Sequence, residues 1–372
     1  MQRADIAIVG AGMAGASLAA ELAPHASVLL IEAEERPGYH STGRSAAFWH
    51  EAYGGPLIQP LTSASGPFLR DPPPEFHEDT FLHRRGALTI GRAEELPLLE
   101  KEFARFAGTS VVFEWQDRAQ LEGRIPRLRP GWVTGLLEPG CSDIDVAALH
   151  GAYLRSARRA GVELVTDARV TAAERTADGW RIGTREQRFA ADILVDAAGA
   201  WADEIARLAG VAPIGIQPLR RTIAQLRTDP PAPPMLPLVF DARATFYFKA
   251  EAGGRLWLSP QDETPVDPCD ASPEEMDIAL AIDRFESAVD WRVERVEHSW
   301  AGLRSFAPDR RPVYGFDRQV PRFFWFAGQG GFGIQTAPAA AKLGAALLLE
   351  KTPPAMVAAI DPIPYSADRF TN

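Results

Sequence analysis

The stretch "IAIVGAGMAGASLAAELA", residues 6–23, constrains the fold more than any other part of the chain. A β-rich apolar run ends at Gly10, and Gly10, Gly12 and Gly15 follow at GxGxxG spacing. Small residues then carry Leu18 and Leu22 at helical spacing, and "SVLLIE" supplies the next strand. Strand, glycine turn, helix and strand in that order make a βαβ unit that opens a parallel sheet. In such a unit the first glycine permits the tight turn and the second lets a pyrophosphate reach the backbone. The third lets helix and strand pack closely, and the helix N-terminus offers N–H groups to phosphate. Glu32, about twenty residues beyond the first glycine, stands where an acid accepts hydrogen bonds from a ribose 2′-OH and disfavours a 2′-phosphate. A glycine-rich helix start that binds nothing is the bland alternative. Fingerprint and acid together favour a dinucleotide site.

A second strand–helix pair, "DILVDAAGAWADEIARLAG", begins at Asp192, and a third, "RFFWFAGQGGFGIQTAPAAAKLGAALLLE", begins at Arg322. Between them "RRTIAQLRT", "LPLVFDA", "TFYFKAE" and "GRLWLSP" read as antiparallel strands with one solvated face. The proline clusters "DPPPEF" and "DPPAPPMLP" read as short rigid loops. The expected class is α/β: a Rossmann-like, doubly wound dinucleotide-binding domain interrupted by an antiparallel α+β substrate domain. At 372 residues two packed domains are expected. Residues 1–50, 141–215 and 305–372 are assigned to the dinucleotide-binding domain, and 51–140 and 216–304 to the substrate domain.

A net charge of −10 with no basic run argues against nucleic acid and anionic membrane as partners. The apolar stretches fall short of the roughly 20 residues that span a bilayer, so no stable membrane insertion is expected. Cys141 and Cys269 lie far apart and outside any CxxC or Cys/His ligand spacing, and the histidines show no metal spacing. Free thiols, no metal and a cytoplasmic location are expected, with no room for a leader before the first strand.

The fingerprint alone does not separate NAD from FAD. "AGQGGFGIQTAPA" places Gly328, Gly330, Gly331 and Gly333 ahead of a small-residue helix. The positive N-terminal end of that helix would suit a flavin's N1 and C2 carbonyl when reduction makes them anionic. No second dinucleotide fingerprint occurs, which favours flavin without nicotinamide over a tight turn of no further use.

Together with these segments, "PGYHSTGRSAA", "PLRRT", "FYFK" and "WAGLRSFAPDRRPVYG" resemble the D-amino-acid oxidase family of flavoenzymes, most of all the bacterial FAD-dependent D-arginine dehydrogenases. The resemblance implies that the dinucleotide-binding domain is a glutathione-reductase-type FAD-binding domain holding non-covalent FAD. The implied reaction is oxidative deamination, in which the substrate Cα–H leaves as hydride to flavin N5 and the imino acid hydrolyses to a 2-oxo acid and ammonia. It implies a carboxylate clamp of Arg304 and Tyr247 with Arg221 nearby, Arg220 being the structural neighbour. Tyr53 then belongs to a loop over the pocket, and the Gly331 carbonyl accepts from the substrate amine. Cofactor contacts are implied at Gly10, Gly12, Met13, Ala14, Gly15, Glu32 and Ala33, and around the isoalloxazine at Ser41, Thr42, Gly43, Arg44, Ser45, Ala46 and Ala47. They continue at Val170 near the adenine, at Gly199, and at Gly330, Gly331, Gly333, Ile334 and Gln335. His40 and His50, flanking the loop, read as solvated.

Two positions depart from the arginine enzymes. Phe48 stands where they have a histidine that helps hold the substrate, and Ala87 where they have a glutamate for the guanidinium. A cationic side chain would be buried unpaired, at a cost of several kcal/mol, so a neutral or hydrophobic D-amino acid is the expected substrate unless an acid such as Glu51 compensates. A 2-hydroxy-acid or N-methyl-amino-acid (sarcosine or glycine type) oxidoreductase, a flavin protein without catalytic role and, more distantly, a nicotinamide dehydrogenase are the alternatives. The reoxidant is left open among oxygen, a quinone and another carrier.

Overall fold

In the computed structural model, which describes residues 2–370, Gln2–Val9 sits at the centre of a parallel sheet. The outermost residues of the expected FAD-binding pieces, 1, 371 and 372, lie outside the described residues. Gln2–Val9 pairs in parallel with Val28–Ile31 on one side and Arg188–Asp196 on the other; Glu163–Val165 and Phe323–Ala327 complete the five parallel strands. Their buried apolar runs, "VLLI" and "FFWFA", are what a sheet covered on both faces requires. A hairpin of Val170–Thr176 and Gly179–Thr184 extends the sheet through the first half of Arg188–Asp196, and Val313–Phe316 runs antiparallel beside Phe323–Ala327.

The helices Met13–Leu22 and Ala337–Leu348 pack against each other over this sheet, Gly344 lying against Leu18 and Phe326. Their small residues permit the close approach. Gly15 shows the tightest case, since a Cβ there would overlap the Gly10 carbonyl oxygen. Gly10 itself has φ of +99°, and a Cβ there would come within 2.5 Å of the Ala197 oxygen.

The second sheet has ten strands and is antiparallel except for one pair. The long strands Gln217–Asp229 and Arg292–Phe306 form its spine, followed by Arg255–Ser259, Tyr247–Glu251 and Leu238–Asp241. Leu238–Asp241 then pairs in parallel with Ala87–Gly91, so one of the four segments read as antiparallel has a parallel neighbour as well. Gln329–Gly330, the start of the C-terminal glycine turn, adds to this sheet through Ser305 and Phe306. The glycine-rich segment is thereby pinned between the two sheets. A small third sheet joins Phe48–Trp49, Ser142–Ile144 and Leu82–Arg84.

Candidate active site and flavin cleft

A cleft with about 1650 Å³ of space, its open mouth included, runs between the two sheets. Gly10, Gly12, Met13, Ala14, Glu32 and Ala33 line one end, together with Val170 and Gly199. Ser41, Thr42, Arg44, Ser45 and Ala46 form a wall, and Gly330, Gly331, Gly333 and Ile334 close the far side next to Arg221, Tyr247 and Arg304. Four expected cofactor contacts do not line the cleft. Gly15 serves helix packing, and Gly43 turns back so that its N–H donates to the Gly38 carbonyl at 2.8 Å. Ala47 packs with Trp49 and Leu82, and Gln335 lies buried behind the glycine turn.

The loop 41–47 is held to the substrate sheet by its own polar groups. Ser41 Oγ donates to the Leu303 carbonyl at 2.6 Å, and Arg44 Nη1 donates to the carbonyls of Ala271 and Ala301, each at 3.0 Å. Arg44 Nη2 also pairs with Asp270. With its fork spent on these acceptors, Arg44 is a strut rather than a phosphate ligand. Gly302, opposite Arg221 in the strand pairing, leaves the room this strut needs: a Cβ there would stand 3.2 Å from Arg44 Cβ.

A flavin dinucleotide fits the residues present. Glu32 accepts from the N–H groups of Ala11 at 2.8 Å and Glu34 at 3.0 Å, which fixes its carboxylate at the cleft wall with lone pairs to spare. Thr42 Oγ1 accepts from the Met13 N–H at 2.9 Å, tying the wall to the start of the first helix. No atom lies within 4 Å of where a Gly199 side chain would begin, so that backbone faces open space.

The end of the cleft at Arg221, Tyr247 and Arg304 is built by strand register. Leu219 lies opposite Arg304 and Arg221 opposite Gly302, while Tyr247 pairs with Ser259 one strand farther on. Arg221, Arg304 and Tyr247 thus converge on the cleft. Arg220, its side chain on the other face, meets Asp262, Glu274 and Asp277 instead. Arg304 Nη1 donates to the Tyr53 hydroxyl at 2.7 Å. Its Nε and Nη2 have no protein acceptor among the described residues. Arg221, by contrast, spends Nε on the Asp262 carbonyl at 2.8 Å and Nη2 on Glu263 at 3.2 Å.

Burial lowers Arg221 from the usual guanidinium range, and the neighbouring charge of Arg304 adds to it. Burial also acts against Arg304, but the hydroxyls of Tyr53 and Tyr247 and the carboxylates of Glu263 and Asp262 outweigh it and raise it. Tyr247 is raised by burial against the pull of both arginines, which keeps it a neutral phenol. Gly331 completes the group, since a Cβ there would stand 2.7 Å from the Tyr53 hydroxyl and 3.3 Å from Arg304.

The loop that carries Tyr53 rests on groups the sequence did not point out. The buried Glu138 carboxylate accepts from the N–H groups of Glu51 at 2.8 Å and Ala52 at 3.2 Å, and His50 Nε2 lies 3.2 Å from it. Gln335 accepts from the His50 N–H and donates to the Tyr53 carbonyl, each at 3.2 Å. His50 stacks on the Tyr53 ring. Burial lowers its pKa, yet the hydrogen bond and charge of Glu138, with Glu102 and Glu51 behind, hold it above the ordinary histidine value. The expectation of solvated histidines is therefore corrected. His50 pairs with Glu138 and His40 with Glu34, at 3.0 Å, because each carboxylate compensates the desolvated ring. His50 and Glu138 are far apart in the chain, and no local signal joins them. Trp201, which lines the cleft two residues after Gly199 and packs on His40, could have been read from "AAGAW".

Phe48 and Ala87 do not line the main cleft. They pack with Tyr247, Leu238, Cys141 and Phe240 into an apolar cluster behind Tyr247. Nearby charges are matched within the protein: Lys249 with Asp143 and Glu251, and Arg85 with Asp143. Glu51 turns outward to Ser63 and Ser110, so it supplies no charge here. Among the described residues no cluster of His, Cys, Asp and Glu could hold a metal ion, and no helix is long and apolar enough to cross a membrane.

The family model described as FAD dependent oxidoreductase (DAO) matches residues 5–347. The chain belongs to the DAO family of FAD-dependent oxidoreductases. FAD is accordingly its cofactor. The chain is 25% identical over 417 residues to hydrogen cyanide synthase subunit HcnC of Pseudomonas aeruginosa, covering 98% of this chain and 96% of that protein. It is likewise 25% identical over 394 residues to the mitochondrial dimethylglycine dehydrogenase of Rattus norvegicus, covering 98% of this chain but 45% of that longer protein. The crystal structure of glycine oxidase from Geobacillus kaustophilus superposes with a TM-score of 0.87 at 24% identity over the whole of both chains. This DAO enzyme thus shares its full two-sheet architecture with solved flavoproteins.

Proposed function

We propose that this enzyme oxidises the C–N unit of an amino acid with one carboxylate and a neutral or hydrophobic side chain, by oxidative deamination of a D-amino acid to a 2-oxo acid and ammonia. The observation that carries this reading is Arg304, a guanidinium facing the cleft with two donor nitrogens unspent and a third fixed on Tyr53. A planar fork of that kind pairs a carboxylate bidentately and so orients the carbon next to it. When bound, FAD supplies the acceptor for the hydride equivalent leaving that carbon.

The residues of this chain bind, orient and exclude water. Arg304 and Tyr53 hold the carboxylate, and Tyr247 offers a neutral hydroxyl on the same side. The Gly331 carbonyl is the proposed acceptor for the amine, bound neutral so that no general base is needed. The cluster of Phe48, Ala87 and Phe240 behind Tyr247 supports an apolar side chain, because among the described residues no uncommitted carboxylate faces it. D-stereochemistry rests on the resemblance to D-arginine dehydrogenases. A cytoplasmic location rests on the two cysteines, neither in a disulfide.

A second reading is favoured by the names of the relatives. Glycine oxidase and dimethylglycine dehydrogenase suggest a glycine or N-methyl-amino-acid substrate, which the same carboxylate clamp serves. Anaerobic bleaching of the bound flavin by D- and L-amino acids, glycine, sarcosine, dimethylglycine and 2-hydroxy acids separates the readings. Ammonia with 2-oxo acid from D-leucine or D-methionine is the expected result, whereas formaldehyde from the N-methyl compounds selects the second. A kcat/KM for D-arginine above those for D-leucine, D-methionine and D-phenylalanine would overturn the side-chain assignment.

A further inference from the structure

Glu263 sits behind the carboxylate clamp and joins it to the surface. Its Oε1 is 3.2 Å from Arg221 Nη2, while Arg310 Nη2 reaches Oε1 at 2.9 Å and Oε2 at 3.0 Å from the solvent side. Arg310 is half exposed and lies over the Phe306 ring. The other nearby acid, Asp262, is committed elsewhere: its carboxylate accepts from the Thr222 N–H at 2.7 Å and hydroxyl at 2.9 Å and faces Arg220, and only its carbonyl meets Arg221. Beside Tyr247 the cleft therefore presents two guanidiniums, of which Glu263 pairs with one, Arg221, and leaves the other, Arg304, to the substrate.

We propose that Glu263 is a specificity-determining residue that limits this site to a single carboxylate, by occupying Arg221 with an anion of the protein's own. The proposal rests on the reading of Arg304 as a carboxylate clamp. Without Glu263, Arg221 presents a second fork beside the first, and a dianion gains a partner for each charge. Glu263 touches no substrate in this arrangement and acts through Arg221. A merely structural role would weaken every ligand alike, whereas this role changes the preference between ligands.

Propionate and malonate, which differ by a methyl against a carboxylate, provide the probes. Each is titrated into the FAD-bound enzyme at constant ionic strength, and the dissociation constant is read from the perturbed visible spectrum. Wild type is expected to bind propionate more tightly than malonate. Glu263→Gln is expected to raise the affinity for malonate relative to propionate by roughly tenfold or more, the scale of one charge-assisted hydrogen bond. Glu263→Asp keeps the wild-type preference, and Arg310→Met, which removes only a solvent-side charge, does not favour malonate. An unchanged ratio in Glu263→Gln, or an equal gain in Arg310→Met, overturns the proposal while leaving the clamp intact. Failure of propionate to bind the yellow wild-type enzyme removes the clamp reading and the proposal with it.

Discussion

Arg304 and Tyr53, 251 positions apart in the chain, meet at 2.7 Å with the arginine donating to the phenol oxygen. One comes from the rigid spine of the substrate sheet and the other from a loop held by Glu138 and Gln335. The hydrogen bond aims the guanidinium before any ligand arrives, so less ordering is left for binding to supply.

Arg304→Leu is expected to cost roughly 3 kcal/mol or more of transition-state binding, a hundredfold or greater loss in kcat/KM. Tyr53→Phe removes one hydrogen bond and is expected to cost about 1 kcal/mol, read as a several-fold rise in KM. Steady-state kinetics on yellow, FAD-replete proteins checks both. Turnover by Arg304→Leu at the wild-type rate would reject the clamp.

Gly331→Ala is a finer probe of the same group. Its Cβ would stand 2.7 Å from the Tyr53 hydroxyl and 3.3 Å from Arg304, so the pair must separate to admit it. A loss of about tenfold or more in kcat/KM with flavin content retained is expected. Loss of flavin together with activity would mean that the glycine serves the cofactor site instead.

Gly15→Ala acts at the other end of the cleft. The added Cβ would overlap the Gly10 carbonyl oxygen, which is backbone and unable to step aside. A destabilisation of about 3 kcal/mol and a largely colourless protein are expected. Melting temperature and the visible spectrum measure the two effects.

Paired with Glu138, His50 is held above its ordinary value of 6.5 in the folded protein. A raised folded value means that its contribution to stability is fully present below about pH 6.5 and is lost as pH rises through the folded value. The stability advantage of wild type over His50→Gln is therefore expected to shrink between about pH 6 and about pH 9. Denaturant titration at the two pH values checks it, and an advantage that grows toward alkaline pH would contradict the pairing.

Restoring a charge behind Tyr247 tests the substrate assignment from the opposite direction. Ala87→Glu alone places a carboxylate in a buried apolar cluster and is expected to cost several kcal/mol of stability. Combined with Phe48→His, it is expected to raise kcat/KM for D-arginine relative to D-leucine by about tenfold or more.

The flavin half was legible because its information is local. Gly10, Gly12, Gly15 and Glu32 fall within one βαβ unit, where period and spacing alone point to a dinucleotide site; Gly10, Gly12 and Glu32 line the cleft and Gly15 serves helix packing. Gly330, Gly331 and Gly333 were read from their place ahead of a small-residue helix, Val170 and Gly199 came through resemblance, and all of them reach the cleft. The supports did not announce themselves, since Glu138, Glu263 and Phe240 are ordinary residues until strand pairing brings them beside Tyr53, Arg221 and Tyr247. Phe48 and Ala87 were expected at the substrate itself, but they stand in the cluster behind Tyr247, a position set by packing that no sequence pattern encodes. The histidine reading failed for the same reason: nothing near His50 in the chain indicates that an acid 88 positions away will bury it.

The parallel sheet draws its strand Phe323–Ala327 from close to the end of the polypeptide, yet that strand pairs with Arg188–Asp196 next to the opening one. During synthesis Arg188–Asp196 must wait, with part of one flank unpaired, until both Gln217–Asp229 and Arg292–Phe306 have left the ribosome. Pairing across so large a separation is slow to find, so this enzyme is expected to need protection from aggregation while nascent, and a ribosome stalled before residue 323 would release a chain unable to retain its coenzyme.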